Sequence, residues 1–341
     1  MKIYEQLPGA LLPWYEKEHR QLPWRQTRDP YRIWISEIML QQTRVEAVKG
    51  YYTRFLQACP SIQSLADADD EVLHKLWEGL GYYSRVRNLK KAAVQIVENH
   101  GGVFPKTYEA VLALPGVGEY TAGAICSIAY DLPVPAVDGN VLRVISRLTD
   151  DPTPIDLPAY KKQVRNCLLQ VYPAQAGSFT QALMELGATV CGPNRKPDCQ
   201  NCPCVEFCKG KYHAQSLPVK LPKRGRRVEH KTVFILRWED KYALTKRPHK
   251  GLLADLWQFP DVPGLLSAAE AIDKMEQIGI KIRDITRQVE RNHIFTHIEW
   301  VMRGVYAEVS EPVSDYTWLT LEEITREAAL PTAYKQFMNP Q

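Results

Sequence analysis

Five cysteines fall within eighteen residues of this 341-residue chain, at Cys191, Cys199, Cys202, Cys204 and Cys208. Thiolates this close together make a soft, anionic pocket for an iron–sulfur cluster or for zinc. Charged residues follow the first methionine, where a secretion signal would need an apolar core, so we expect a reducing, cytoplasmic compartment. There, clustered cysteines are metal ligands more often than disulfides, and the cluster predicts a metal-bound loop.

The sequence changes character at this cluster. Before about residue 190, apolar residues recur at helical spacing between start and stop signals such as Asp29-Pro30 and Gly101-Gly102. Residues 212–229 are rich in proline, lysine and arginine, which indicates an exposed linker, with contact to DNA as a secondary possibility. Helices are predicted from Pro30 to about Arg44, over 73–80, before Gly101 and over 141–148. Strands are predicted over Thr232–Trp238, Tyr242–Thr245, His293–Trp300 and Val301–Val309, with a helix over Ser267–Ile278, which makes a separate α+β domain.

The first motif that suggests chemistry is a glycine-containing segment, Leu114-Pro-Gly-Val-Gly-Glu-Tyr-Thr-Ala-Gly123. Gly116 and Gly118 let the backbone approach another surface, and the N–H groups of the following helix suit a phosphate oxygen. A plain helix–turn–helix connection is the alternative. The formal net charge of +4 does not by itself indicate a nucleic-acid binder, so local features have to decide.

Two carboxylates form the second feature. Glu37 stands among Ile35, Ile38 and Leu40, surroundings that raise the pKa of a carboxyl and suit a general acid. A solvated helix face is the alternative. Asp138 directly precedes a predicted helix, where it can cap the helix and stay ionised at the same time. One raised and one ordinary carboxylate can break a glycosidic bond, but the sequence alone does not place the two together.

The order of these motifs resembles that of the helix–hairpin–helix glycosylases with an iron–sulfur cluster, and most closely the MutY-type adenine DNA glycosylases. The resemblance implies a multidomain fold, with an all-α catalytic region followed by an α+β Nudix-like domain that reads 8-oxoguanine. The implied bounds are 1–211 for the catalytic region (a six-helix module at about 29–134, an iron–sulfur module at about 1–28 plus 135–211), 212–229 for the linker and 230–341 for the Nudix-like domain.

The implied activity is removal of adenine opposite 8-oxoguanine or guanine in double-stranded DNA, by a monomer that contacts no membrane. In endonuclease III a hairpin lysine attacks the sugar, but this chain has Tyr120 there, which implies a monofunctional glycosylase that leaves an abasic site. An endonuclease III-like lyase acting on oxidised pyrimidines and a non-catalytic lesion-binding protein are the alternatives. No Glu-rich Nudix catalytic motif is found, so the second domain is interpreted as a recognition module.

The resemblance also assigns residues, each by its match to the family motifs. Glu37 protonates the adenine, Asp138 stabilises the sugar cation, and Tyr120 and Asn140 support it. A [4Fe-4S] cluster is held by Cys191, Cys199, Cys202 and Cys208; the first gap is seven residues rather than the usual six, and Cys204 is a spare thiol and a conceivable alternative ligand. The adenine pocket is formed by Trp24, Arg25 and Gln181, and the DNA contacts by Gln42, Tyr82, Gly116, Gly118, Phe295, Thr296 and His297, with Arg195 and Lys196 facing the DNA backbone.

Overall fold

A computed structural model describes residues 2–193, 196–222 and 225–338. The chain forms two compact units, Met1–Ala68 with Arg87–Pro222, and Asp69–Val86 with Lys223–Gln341. Residues 69–86, which the sequence assigned to the helical region, therefore pack with the C-terminal residues. Arg195, predicted to face the DNA backbone, and the basic residues Lys223 and Arg224 of the predicted linker lie outside the described residues. No described helix combines the length and apolar character needed to cross a membrane.

The first unit is helical, as predicted. Asp29 caps α2, with its Oδ1 accepting a hydrogen bond from the Tyr31 backbone N–H at 3.0 Å, and Pro30 takes the first helical position. This helix ends at Leu40 rather than near Arg44, because Gln42 adopts a left-handed backbone with φ of 56°. The helices are α1 Lys2–Glu18, α2 Pro30–Leu40, α3 Val45–Ala58, α4 Ile62–Asp67, α5 Asp70–Leu76, α6 Ser84–His100, α7 Tyr108–Leu112, α8 Glu119–Tyr130, α9 Gly139–Thr149, α10 Pro158–Leu169 and α11 Ala176–Glu185, of which α5 and the start of α6 belong to the second unit.

One hydrophobic core of the first unit is formed by residues from both the beginning and the end of the helical region of the sequence. Leu7 and Leu11 of α1 pack in the same cluster as Leu148 of α9 and Phe179 of α11. Cys204, which is fully buried, belongs to this cluster as well. The folding of the cysteine segment is therefore coupled to the packing of the helix that begins just after Asp138.

In its described residues, the second unit is built on a mixed sheet of seven strands in the order β3-β2-β1-β6-β5, with β4 paired to β1 and β7 paired to β2. The central strands β1 and β6 are parallel, and β5 and β6 form an antiparallel hairpin. The elements are β1 Arg227–Trp238, β2 Lys241–Lys246, β3 Trp257–Gln258, β4 Asp261–Pro263, α12 Ala268–Gln277, β5 Ile282–Ile294, β6 Ile298–Val309, β7 Thr317–Thr320, α13 Leu321–Glu327 and α14 Thr332–Lys335.

The predicted strand over His293–Trp300 is wrong. The chain turns over Phe295–His297, between the end of β5 and the start of β6. This turn contains neither glycine nor proline, so the sequence gives no stop signal between the two strands. The Phe295 N–H donates to the Ile298 carbonyl at 2.8 Å, which closes the turn.

Polar contacts hold residues 69–86 of the second unit to its strands and to residues near its C-terminal end. Glu71 accepts hydrogen bonds from Trp257 Nε1 at 3.0 Å and from Lys246. Glu78 accepts one from the Leu330 backbone N–H at 2.9 Å and pairs with Lys335 Nζ at the same distance. These contacts explain why residues 69–86 group with the C-terminal residues rather than with the rest of the helical region.

Candidate active site

Glu37 lies on the buried face of α2 and is only 6% exposed. The Tyr120 hydroxyl, on α8, donates a hydrogen bond of 2.8 Å to Glu37 Oε2. Burial raises the pKa of Glu37 to about 7, although the hydrogen bond from Tyr120 lowers it, and the negative charge of Asp138 raises it further. A carboxyl with this pKa is protonated in a large share of the molecules at neutral pH, as a general acid requires.

Asp138 caps α9, which confirms its predicted structural role. Its Oδ1 accepts a hydrogen bond from the Val141 backbone N–H at 2.8 Å, and its Oδ2 accepts one from Asn140 Nδ2 at 2.6 Å. Burial raises the pKa of Asp138, and these hydrogen bonds oppose the rise because they favour the charged form. The site therefore holds two carboxylates whose surroundings differ, one beside a phenol and one beside amide donors.

A cavity of about 200 Å³, which we call the base pocket, opens beside these carboxylates. It is smaller than the roughly 300–1,000 Å³ of pockets for drug-sized ligands, so it suits a group the size of a single base. Packing of α2 against α8 brings Glu37 and Tyr120 together from distant parts of the sequence. Every residue predicted for catalysis or for the adenine pocket lines it: Trp24, Arg25, Glu37, Tyr120, Asp138, Asn140 and Gln181.

Two charged residues of the base pocket, Glu185 and Arg20, were missed by the sequence analysis. Glu185, at the end of α11, is fully buried and accepts hydrogen bonds from Arg20 Nε at 2.8 Å and from Arg25 Nη2 at 2.7 Å. Burial alone would raise the pKa of Glu185, but the two guanidiniums outweigh it and hold the pKa at about 2. The ion pair fixes the Arg25 guanidinium at the pocket wall. A carboxylate inside the apolar run Ala182-Leu-Met-Glu-Leu-Gly187 is the signal that could have found it, just as it found Glu37.

Hydrogen bonds connect the capping carboxylate to the cysteine segment. The Arg143 guanidinium donates to Asn140 Oδ1 at 2.9 Å and to the Cys191 carbonyl at 3.0 Å. One turn further along α9, Arg147 donates to the same carbonyl at 3.1 Å and to Cys191 Sγ at 3.3 Å. The segment that begins at Cys191 is therefore bound to the helix that Asp138 caps.

The cysteines separate into two groups. The predicted ligands Cys191, Cys199, Cys202 and Cys208 line one cavity, together with apolar side chains of α9 and the following segments. The fifth, Cys204, does not line it and is buried in the hydrophobic core, although its thiol forms a hydrogen bond with that of Cys202. Among the described residues, no three or more cysteine, histidine, aspartate or glutamate side chains form a group that could hold a metal ion.

The base pocket opens into a wider space of about 860 Å³, which we call the groove. Both are lined by Glu37, Tyr120 and Asp138, and the groove is also lined by Gln42 and Gly118, two of the predicted DNA contacts. Gly116, another predicted contact, lies in the turn before α8 with φ of +76°, and a Cβ there would lie 2.7 Å from Asn88 Cβ. Only glycine fits this position without displacing Asn88.

The remaining predicted DNA contacts lie in the second unit. Tyr82 is 45% exposed, has a left-handed backbone with φ of 47°, and its hydroxyl lies 2.6 Å from Thr296 Oγ1. Phe295 packs edge-on against Trp300 with ring centroids 4.8 Å apart, while Thr296 and His297 are exposed. The turn Phe295–His297 and Tyr82 therefore form one surface, although their positions in the sequence are far apart.

Two family descriptions match successive parts of the chain. Residues 35–164 match the HhH-GPD superfamily base excision DNA repair protein, and residues 232–339 match the NUDIX domain. The adenine DNA glycosylase of Rattus norvegicus is 36% identical over an alignment that covers 96% of this chain and 76% of that protein. This chain belongs to the adenine DNA glycosylase family. The Homo sapiens member is 34% identical over 96% of this chain and 72% of its own length. The predicted family and the predicted fold class are both confirmed.

Solved structures agree with the helical part of this glycosylase family. The structure of a thermostable thymine-DNA glycosylase is 30% identical, with a TM-score of 0.57, and the match covers 62% of this chain and 97% of that one. A trapped covalent complex of endonuclease III with DNA has a TM-score of 0.53 at 23% identity, which shows the shared fold. Both matches cover less of the chain than the adenine DNA glycosylases do.

Proposed function

We propose that this chain hydrolyses the N-glycosidic bond of adenine in double-stranded DNA, opposite 8-oxoguanine or guanine, and leaves an abasic site. The observation that carries the proposal is the pairing of Glu37, with its pKa raised to about 7, and Asp138 around one base-sized pocket. Adenine has to leave the duplex stack to enter this pocket. One chain supplies both carboxylates, so we propose that the enzyme acts as a monomer.

The geometry supports a stepwise hydrolysis. Glu37 transfers its proton to N7 of the adenine, the bond from the base to the sugar breaks, and its electron pair leaves with the base. The positive charge that develops on the sugar is stabilised by Asp138, whose hydrogen bonds favour the ionised form. A water molecule then adds to the sugar carbon and loses a proton, which the Glu37 carboxylate can accept. Tyr120 keeps Glu37 oriented through its 2.8 Å hydrogen bond.

A lyase reaction through a Schiff base requires a lysine at the sugar. The described residues that line the base pocket include arginines but no lysine, and Tyr120 stands at the hairpin position. This favours a monofunctional glycosylase over the lyase alternative.

Recognition of the opposite base is proposed for the turn Phe295–His297. Thr296 and His297 are exposed on this turn, and Phe295 is braced by Trp300 beneath it. The Thr296 hydroxyl is kept in place by Tyr82. The adenine DNA glycosylases of Rattus norvegicus and Homo sapiens match 96% of the chain, including this domain, whereas the thymine-DNA glycosylase match covers 62%, which supports adenine as the excised base.

The test compares four duplexes that carry A opposite 8-oxoguanine, A opposite G, T opposite G, and an oxidised pyrimidine. We expect alkali-labile sites only in the two duplexes with mispaired adenine, with the faster reaction opposite 8-oxoguanine. Covalent adducts trapped by borohydride on most turnovers would support the lyase instead. Tight binding to the mispair without any base release would support a non-catalytic lesion-binding protein.

Replacing Tyr120 with phenylalanine should move the pH dependence of the reaction. The Tyr120 hydrogen bond lowers the pKa of Glu37, so its loss raises that pKa and extends the protonated, active form to higher pH. The pH at which the single-turnover rate falls by half should therefore be higher in Tyr120→Phe than in the unaltered enzyme. A shift to lower pH would show that this hydrogen bond does not favour the ionised carboxyl.

We propose a [4Fe-4S] cluster as the cofactor, held by Cys191, Cys199, Cys202 and Cys208. The residues fit the group, because four soft thiol donors line a single cavity with apolar walls and Arg147 donates a hydrogen bond to one of them. When bound, the cluster would cross-link the segment that Arg143 and Arg147 fasten to α9.

Cysteine substitutions test this ligand set. Cys204→Ala should retain the metal, because this thiol is in the hydrophobic core and does not line the cavity, whereas Cys199→Ala should lose it. Iron and sulfide content and broad visible absorbance measure the outcome, and a colourless protein containing zinc would contradict the iron–sulfur assignment. Loss of metal from Cys204→Ala with retention in Cys199→Ala would exchange the roles of the two residues.

A further inference from the structure

Two lysines line the groove outside the base pocket and have no assigned role. Lys161, near the start of α10, and Lys220, in the segment that follows the cysteines, both line the groove that also holds Glu37 and Asp138. Neither lysine lines the base pocket itself. A ligand that places a base in the pocket and continues along the groove would therefore pass these two ammonium groups.

The segment that carries Lys220 is fixed in place, although the sequence predicted a linker over 212–229. The Ile155 N–H donates to the Val219 carbonyl at 3.1 Å, and the Leu221 N–H donates to Asp156 Oδ2 at 3.0 Å. Leu217 is 5% exposed, and its carbonyl accepts a hydrogen bond of 2.9 Å from Arg147 Nε. Lys220 thus stands between two anchored residues, and its position in the groove wall does not depend on a loose chain.

The other cations of the groove are already engaged. Arg143 donates to Asn140 and to backbone carbonyls, and Arg147 donates to Leu217 and Cys191. Within the described ranges, no ion pair or side-chain hydrogen bond is formed by the ammonium groups of Lys161 and Lys220. Of the nearby acids, Asp156 accepts the Leu221 N–H, Glu119 begins the helix after the hairpin, and Glu37 and Asp138 belong to the base pocket.

We propose that Lys161 and Lys220 bind backbone phosphates of the DNA strand that carries the adenine, as the counterpart of the hairpin at Gly118. This rests on the proposed function, because it takes the groove to be the path of that strand. The hairpin backbone and the two lysines, which line the same groove, would then both contact the strand whose adenine enters the base pocket. Such contacts position the strand and carry no sequence information.

The test measures binding of the full-length enzyme to fluorescent duplexes by anisotropy over a range of salt concentrations. The logarithm of the affinity falls linearly with the logarithm of the salt concentration, with a slope of roughly 0.9 for each phosphate neutralised. Lys161→Ala and Lys220→Ala should each reduce this slope by about 1, and the double variant by about 2. The loss should be the same for an undamaged duplex and for a duplex with A opposite 8-oxoguanine.

Lys162→Ala is the matched control, because Lys162 is the next residue on α10, carries the same charge, is exposed and does not line the groove. Alanine is a strong helix former, so both α10 variants should fold. Lys220→Arg should restore the slope, since arginine also binds phosphate. Single-turnover excision at saturating enzyme should be unchanged in Lys162→Ala, which alters no residue of the groove.

A slope in Lys161→Ala and Lys220→Ala equal to that of Lys162→Ala would overturn the inference. Because undamaged duplex needs no base excision, this outcome is separable from failure of the proposed function. Lysine-dependent binding without adenine release would leave the phosphate contacts standing and contradict only the proposed reaction.

Discussion

Glu37→Gln should lower the single-turnover rate of adenine release by about 10²–10⁴-fold, the usual contribution of a positioned general acid. Glutamine keeps the size and the hydrogen-bonding capacity of the side chain, so the Tyr120 hydroxyl still has an oxygen to donate to. What is lost is the proton that a carboxyl with a pKa of about 7 holds at neutral pH. The comparison is made at saturating enzyme, with quantification of the abasic product.

Binding of the mispaired duplex and thermal stability are the controls for this variant. A buried carboxyl that is protonated in a large share of the molecules at neutral pH is replaced by a neutral amide of the same shape, so neither control should weaken. Full activity in Glu37→Gln would contradict the acid role. Loss of binding together with loss of activity would instead assign Glu37 to holding the base rather than to chemistry.

Asp138→Asn should reduce the rate by about 10²–10³-fold, the scale of losing one electrostatic partner of a developing charge. The anionic carboxylate beside the sugar is removed, so the cation that forms as adenine leaves is no longer stabilised. Asparagine is as good an N-cap as aspartate, so α9 should keep its start at Gly139. Circular dichroism and the melting temperature check that the helix and the fold are retained.

The pH dependence of the residual activity of Asp138→Asn gives a second test. The charge of Asp138 raises the pKa of Glu37, so its removal lowers that pKa and should move the alkaline decline of the residual activity to lower pH. A purely structural role for Asp138 would lower the rate without this shift. An unchanged rate in Asp138→Asn would contradict the proposed stabilisation of the sugar cation.

The sequence predicted best those elements whose ends are marked by capping residues nearby in the chain. Asp29-Pro30 and Asp138 mark the starts of α2 and α9 because capping depends on a few adjacent residues. The hairpin β5–β6 was misplaced because its turn lacks glycine and proline. Packing of α5 with the C-terminal strands depends on contacts such as Glu71 with Trp257, which no local pattern records.

In the candidate site too, local motifs predicted single residues, whereas their arrangement depends on long-range packing. Motifs identified Glu37, Tyr120 and Asp138 one at a time, but only the packing of α2 on α8 and the cap of α9 place them around one cavity. Glu185 was missed because a carboxylate at the end of a helix has an ordinary interpretation as a solvated residue. Its ion pairs with Arg20 and Arg25 are long-range contacts that a sequence pattern cannot specify.

The claim that Glu37 donates a proton to the adenine is tested most directly by the pH dependence of the single-turnover rate of adenine release. The substrate is a duplex with A opposite 8-oxoguanine. Since the protonated carboxyl is the active form and burial raises its pKa to about 7, the rate should be constant at lower pH. It should fall about tenfold for each pH unit above that value, and Glu37→Gln should lack this decline. A rate that stays constant or rises through pH 7 to 9 in the unaltered enzyme would contradict a protonated Glu37 as the acid.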